Sequence, residues 1–226
     1  MARRTYDQFC ATARTLDIVG ERWSLLIVRE LLSGPKRFTD LQDALSGMGA
    51  ALLSARLRYL EAEGLVQRVA LPPPARAPAY ELTEAGLELE PAILAIARWG
   101  MRWALGERRE QDDFEPGWAV LGMHAIFDAA KAHDVEAAYE FRVGDDTFHV
   151  DVKHGAIETG HGSASRPDAV IEATPDAFAD LASGSLSLKR AIREGRAAVS
   201  GDRDAISKLD KVFTWPERRE RSPAGS

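Results

Sequence analysis

The chain has 226 residues, of which 45% are hydrophobic and 28% charged, with a formal net charge of −6. That suits one large or two small globular domains. No apolar run approaches the ~20 residues that span a bilayer, and MARRTYDQFC lacks the apolar block of a signal peptide, so a cytoplasmic protein without a membrane partner is expected. The single cysteine, Cys10, excludes an internal disulfide and suits a reducing compartment.

The acidic balance argues against nucleic acid only until it is divided along the chain. Residues 1–80 hold 11 Lys/Arg against 8 Asp/Glu, a local charge of +3, whereas 81–115 carry −5 and 116–226 carry −4. Attraction to phosphate is decided within a Debye length of about 8–10 Å, so the basic segment matters more than the whole.

In chain order, Thr15 to Leu32 places Leu16, Val19, Trp23, Leu26 and Ile27 at helical spacing, which predicts a helix ended by Gly34-Pro35. Phe38-Thr39-Asp40 restarts the chain, with Thr39 as N-cap and Leu41 and Leu45 facing a core. Gly47 and Gly49 mark a turn. From about Ala50 a second helix carries Leu53, Leu57 and Leu60 on one face, so Ala51, Ser54, Ala55 and Arg58 point the other way. A helix lying in the major groove needs this division, with a small, polar and basic outward face. The same pattern also fits an ordinary helical hairpin in a core. Val66-Gln-Arg-Val-Ala and Tyr80-Glu-Leu82 read as two short strands around a proline-rich tip, a β-wing. Arg76 at that tip either meets DNA or is a solvated loop arginine. Thr83 then caps a long helix to about Glu107, kinked or divided at Pro91. Its row of Leu87, Leu94, Ala97 and Met101, widened by Trp99 and Trp103, is expected to form a dimer interface rather than to pack only within its own domain.

Over residues 9–105 these motifs resemble the HxlR family of winged helix-turn-helix regulators. The resemblance rests on Leu16-Asp-Ile-Val-Gly-Glu-Arg-Trp-Ser-Leu-Leu-Ile, Arg29-Glu-Leu-Leu and Gly34-Pro-Lys-Arg-Phe-Thr-Asp-Leu. It continues through Leu52-Leu-Ser-Ala-Arg-Leu-Arg-Tyr-Leu-Glu-Ala-Glu-Gly-Leu-Val and Tyr80-Glu-Leu-Thr-Glu-Ala-Gly. It implies a homodimer that binds a double-stranded DNA operator, with a recognition helix over about 50–63 and a wing over about 66–82. Two positions depart from the family: Gly49 and Ala51 stand where a Ser or Thr cap and a basic residue are usual. Emphasis therefore shifts to Arg56, assigned to phosphate, and to Arg58 and Arg76, with Lys36, Arg37, Thr39, Ala51, Ser54 and Ala55 completing the candidate DNA contacts. Cys10 falls where many relatives carry a cysteine, some of them thiol sensors; the other reading is a small buried hydrophobe.

Glu107 to Gly117 is charged, of mixed sign, and ends in Pro-Gly, which reads as a linker. Beyond it, Trp118 to His133 predicts an apolar-rich helix. Tyr139, Phe141 and Val143 alternate, Gly144-Asp-Asp146 turns, and Phe148, Val150 and Val152 alternate again, a hairpin with one apolar face. Strands are expected at Ala156–Thr159, Ala169–Ala173 and Ala197–Ser200, and helices at Pro175–Ala182, Ser187–Glu194 and Asp202–Phe213. The fold class is α+β. Residues 118–213 resemble the sterol-carrier-protein (lipid-transfer) family, through Tyr139-Glu-Phe-Arg-Val-Gly-Asp, Phe148-His-Val, Pro167-Asp-Ala-Val-Ile, Phe178-Ala-Asp-Leu, Ala191-Ile-Arg-Glu-Gly and Ser200-Gly-Asp. That resemblance implies an apolar pocket. Its candidate lining is Phe127, Phe141, Phe148, Val150, Ile171, Phe178, Leu181, Leu186, Leu188 and Ile192, each of which also reads as plain core.

Catalysis finds little support. His149, His154 and His161 have no Cys or paired carboxylates at metal spacing, and Ser163 and Ser165 lack a nucleophile-elbow setting. The expectation is therefore a non-enzymatic regulator without cofactor or metal. It has a winged helix-turn-helix domain with a long dimerisation helix over 1–106, a linker over 107–117, a sterol-carrier-like domain over 118–215 and a disordered tail over 216–226. Its effector would be an apolar small molecule; the alternatives are thiol sensing through Cys10 and a C-terminal domain that is only structural.

Overall fold

The computed structural model describes residues 5–72, 77–105, 109, 112 and 115–214. The tail expected over 216–226 and most of the expected linker lie outside the described residues. The chain folds as two compact units, Met1–Ile93 and Leu94–Ser226.

In the first unit, α1 (Ala11–Val19) and α2 (Ser24–Leu32) replace the single helix expected over Thr15–Leu32. The break lies at Gly20, where a Cβ would collide with the Leu16 carbonyl oxygen, and at Trp23, held left-handed at φ 81°. Such a backbone costs a non-glycine residue on the order of 1–2 kcal/mol, which its packing must offset. The Trp23 ring supplies that packing: a Cβ on Gly47, in the turn that precedes Ala50–Ala62, would lie 3.0 Å from it. Helix α3 (Phe38–Ala44) is capped two residues earlier than expected, at Arg37 instead of Thr39. The Arg37 N–H donates to Asp40 Oδ2 at 2.9 Å, and Thr39 lies inside the first turn. Helix α4 (Ala50–Ala62) starts from Gly49 and buries Leu53, Leu57 and Leu60 completely.

Strands β1 (Val66–Ala70) and β2 (Pro78–Leu82) pair antiparallel, and Lys36 adds a bridge to Tyr80, with N–H···O distances of 2.9 and 2.8 Å. The wing is thereby stitched to the entry of α3. Thr83 caps α5 (Glu84–Leu87) by accepting from Gly86 N–H, and its hydroxyl donates to Gly64 O at 2.6 Å. Pro91 sits in the first turn of α6 (Glu90–Trp103), so the long helix is divided in two.

The second unit is built on a five-stranded sheet ordered β5-β4-β3-β6-β7. Its strands are β3 (Ala137–Val143), β4 (Asp146–Lys153), β5 (Ala156–His161), β6 (Ala169–Ala173) and β7 (Ala197–Gly201). Only β3 and β6 run parallel; the other neighbours are antiparallel. Gly144 at φ 61° makes the tight β3–β4 turn. Tyr139, Phe141, Val143, Phe148, Val150 and Val152 share the buried face. Against it pack α7 (Pro116–Ile126), α8 (Pro175–Ala182) and α10 (Arg203–Val212). The short α9 (Leu188–Arg193) precedes β7. Helix α7 ends at Ile126, well before the expected His133, because Phe127 turns extended and bridges to Phe213.

Candidate nucleic-acid interface and ligand cavity

Two faces of α4 have separate tasks. Leu53, Leu57 and Leu60 anchor it, while Ala51, Leu52, Ala55 and Arg58 are exposed and Ser54 is half-buried beside them. Arg58 has no ion-pair partner among the described residues, so its guanidinium is free to meet a base edge or phosphate. Arg56 is differently placed. Its side chain is only 17% exposed, lies 3.4 Å from Glu21 Oε2 and stacks over Tyr59, whose hydroxyl donates to Asp17 O. Lys36 is engaged as well: its ammonium is 2.9 Å from Glu30 Oε2, while Arg29 holds the other oxygen of this buried carboxylate at 2.6 Å. Arg37 is half-buried, Thr39 is exposed, and Arg76 lies outside the described residues. The geometry thus gathers Ala51, Ser54, Ala55 and Arg58 on one open face, and gives Arg56 and Lys36 intramolecular partners.

In the second unit, a cavity of about 250 Å³ opens between the sheet and the helices. Phe141, Ile171, Phe178, Leu181, Leu186 and Leu188 line it, six of the ten residues expected from sequence. Phe148 stands one ring behind: it stacks on Phe141 at 5.0 Å and 7° and meets Phe178 at 5.5 Å. Val150 is core on the neighbouring strand. Phe127 packs on Phe213 at 6.0 Å, and Phe213 takes the place in the lining. Ile192 is 43% exposed because Ala191 fills the buried position of α9. No lining residue is ionisable. Ser187 supplies the only side-chain hydroxyl, and it accepts from Arg190 N–H at 3.3 Å as the cap of α9.

Comparison with known proteins places these two units. A model of the HxlR-like helix-turn-helix family matches residues 18–108, and one of the SCP-2 sterol transfer family matches 127–214. An uncharacterized HTH-type transcriptional regulator of Bacillus subtilis, YvaP, is 38% identical over 90 residues, covering 40% of this chain and 83% of that protein. The chain belongs to the HxlR-like helix-turn-helix family. The HTH-type regulator Rv3095 of Mycobacterium tuberculosis is 43% identical over 90 residues, 40% of this chain and 56% of its own. Among solved structures, the reduced transcriptional regulator YodB from B. subtilis is 30% identical, covers 41% of this chain and 92% of its own, and has a TM-score of 0.37.

Within the HxlR-like unit, Cys10 is exposed at the head of α1. The backbone N–H groups of Ala13 and then Thr12 hold its thiol pKa below the ordinary value. In the SCP-2 unit, Met123, Ile126, Ala182, Gly184, Ser187, Leu209 and Phe213 line the cavity without having been singled out from sequence. The i, i+3 spacing of Met123 and Ile126 was a usable signal, as was the buried row Ala205, Leu209 and Val212 on α10. Gly184 and Ser187 carried none, since a loop contributes to a cavity by where it is held. Among the described residues no three His, Cys, Asp or Glu side chains are gathered as a metal would require, and no helix is long and apolar enough to cross a membrane.

Proposed function

We propose that this chain is a cytoplasmic, homodimeric transcriptional regulator whose DNA affinity is set by an apolar small molecule, and that it is not an enzyme. The observation that carries the reading is the fusion of an HxlR-like reader, with α4 open along Ala51, Ala55 and Arg58, to an SCP-2 unit holding an apolar cavity. Domain limits of 1–106 and 118–215, with a linker between, go with it. Each α4 enters a major groove, and a dimer reads half-sites about one helical turn, roughly 34–36 Å, apart. Exposed Phe9 and Leu16 near α1 and exposed Ile96 and Trp99 on α6 supply apolar surface for the dimer.

The effector must favour one arrangement of the readers. Met123 and Ile126 of α7 line the cavity, Arg98 Nε of α6 donates to Ala125 O at 2.7 Å, and Met101 lies on Gly122. An occupied cavity thus acts on α7 and through it on α6. Selection of genomic fragments by the purified protein at moderate salt tests the reading. A short pseudo-palindrome should be enriched, and recovery of fragments without a common motif would sink it.

A second reading has its own observation, the exposed and acidified Cys10. If a thiol is the sensor, Cys10→Ser abolishes the response of operator binding to a mild oxidant and leaves binding by the reduced protein unchanged.

A further inference from the structure

Resting on the proposal that the second unit takes an apolar effector, we infer the size and chemistry of that effector. It is an uncharged molecule of roughly ten to thirteen heavy atoms with one hydrogen-bond acceptor group, not a sterol or a long-chain fatty acid. The cavity volume sets the size. An apolar engineered cavity of about 150 Å³ holds benzene, six heavy atoms, so on that scale the 250 Å³ here holds about ten or a few more. A sterol, with roughly two to three times as many heavy atoms, leaves most of its skeleton in water and gives up the burial that would hold it.

The lining sets the charge. All thirteen residues are uncharged and most are Phe, Leu, Ile, Met or Ala. A carboxylate drawn among them loses its hydration with no cation to replace it. Ser187, exposed to solvent where it borders the cavity, supplies the one side-chain hydroxyl of the lining. Its oxygen already accepts from Arg190 N–H, and its proton has no acceptor among the described residues, so it is available to a ligand carbonyl, ester or hydroxyl oxygen. Phe141, Phe178 and Phe213 present ring surface to the rest of the molecule, which suits a short chain or a single ring.

Calorimetric titration of the full chain with methyl decanoate, decanoate, methyl hexadecanoate and cholesterol tests the inference. Methyl decanoate should bind one per chain, at least about tenfold more tightly than decanoate and no less tightly than the two larger probes. Ala182→Phe, which fills the cavity, should weaken methyl decanoate by about tenfold or more. Ser187→Gly removes the hydroxyl and leaves a residue that helix N-caps tolerate, and should weaken methyl decanoate severalfold without changing an acceptor-free decane probe. Circular dichroism of both variants separates lost binding from lost folding. Tighter binding of cholesterol or methyl hexadecanoate overturns the size class and leaves the apolar effector standing. Tighter binding of decanoate overturns the charge argument alone. Indifference of methyl decanoate to Ala182→Phe overturns the site. If no probe of either size binds, the effector reading falls together with this inference.

Discussion

At the scale of single residues, the close approaches explain more than the charges. Gly86 is the sharpest case, because a Cβ there would collide with the Leu65 carbonyl oxygen and lie 3.1 Å from Leu82 Cβ. That contact seats α5 against the junction of α4 and the wing, so Gly86→Ala is expected to lower the urea-derived stability of the first unit by about 1–3 kcal/mol. A variant as stable as wild type would mean the backbone relaxes there without cost. The arginines of α4 make a contrasting pair. Arg58 is exposed without an ion-pair partner among the described residues, so Arg58→Ala should weaken operator binding by about 1–3 kcal/mol and relax specificity while leaving random DNA nearly untouched. Arg56 is held by Glu21 and Tyr59 away from the open face, so Arg56→Ala should have the smaller effect of the two and, where it removes a phosphate contact, weaken specific and random DNA alike. Competition binding against both DNAs decides this, and a specific loss confined to Arg56→Ala would exchange the two roles.

At the scale of elements, β3 and α10 are joined by a buried phenol. Tyr139 is fully buried and donates to Ala205 O at 3.0 Å. Burial raises its pKa strongly, and the carboxylates of Asp168 and Asp204 add to the rise. Below about pH 10 the phenol is protonated in both states and its contribution is whole; above it the unfolded chain ionises first, so stability falls as pH rises. Tyr139→Phe should therefore cost about 1 kcal/mol at pH 7 and close that gap above about pH 10, by up to ~1.4 kcal/mol per pH unit. A gap that stays constant to pH 11 contradicts the burial argument. Most elements of this unit were legible because their signals are local. Thr174, Ser187 and Asp202 each accept a backbone N–H at the start of α8, α9 and α10, and the alternation of Phe148, Val150 and Val152 fixes the face of β4. What escaped depends on distant partners. The α1–α2 break needs the Trp23 ring over Gly47, and the end of α7 needs Phe213 beside Phe127. The parallel β3–β6 pair joins strands separated by the whole β4–β5 hairpin. The cavity was half legible for a related reason: periodicity names the apolar residues of a layer, but not which of them border a gap. Phe141 and Phe148 face each other in register, and only Phe141 reaches it.

At the scale of the whole molecule, regulation requires that an effector in one unit change what the other does to DNA. Helix α6 is continuous from Glu90 to Trp103, and the division between the units falls within it, after Ile93. Its later turns meet α7 through Arg98 and Met101, and α7 in turn lines the cavity through Met123 and Ile126. A hydrogen bond to a charged donor contributes roughly 1.5–3 kcal/mol, the same size as the ~1–3 kcal/mol of coupling typical between two sites. Arg98→Leu removes the guanidinium and keeps part of the apolar stem, so it tests the joint without emptying the cavity. Wild type should show operator affinity shifted about fivefold or more by saturating methyl decanoate, measured by fluorescence anisotropy on labelled operator. Arg98→Leu should reduce that shift to less than about threefold while methyl decanoate still binds within about twofold of wild type. Binding linkage is reciprocal, so adding operator must change methyl decanoate affinity by the same factor in each protein. A full shift in Arg98→Leu would remove the α6–α7 joint from the route, whereas loss of methyl decanoate binding itself would assign Arg98 to the support of the cavity wall.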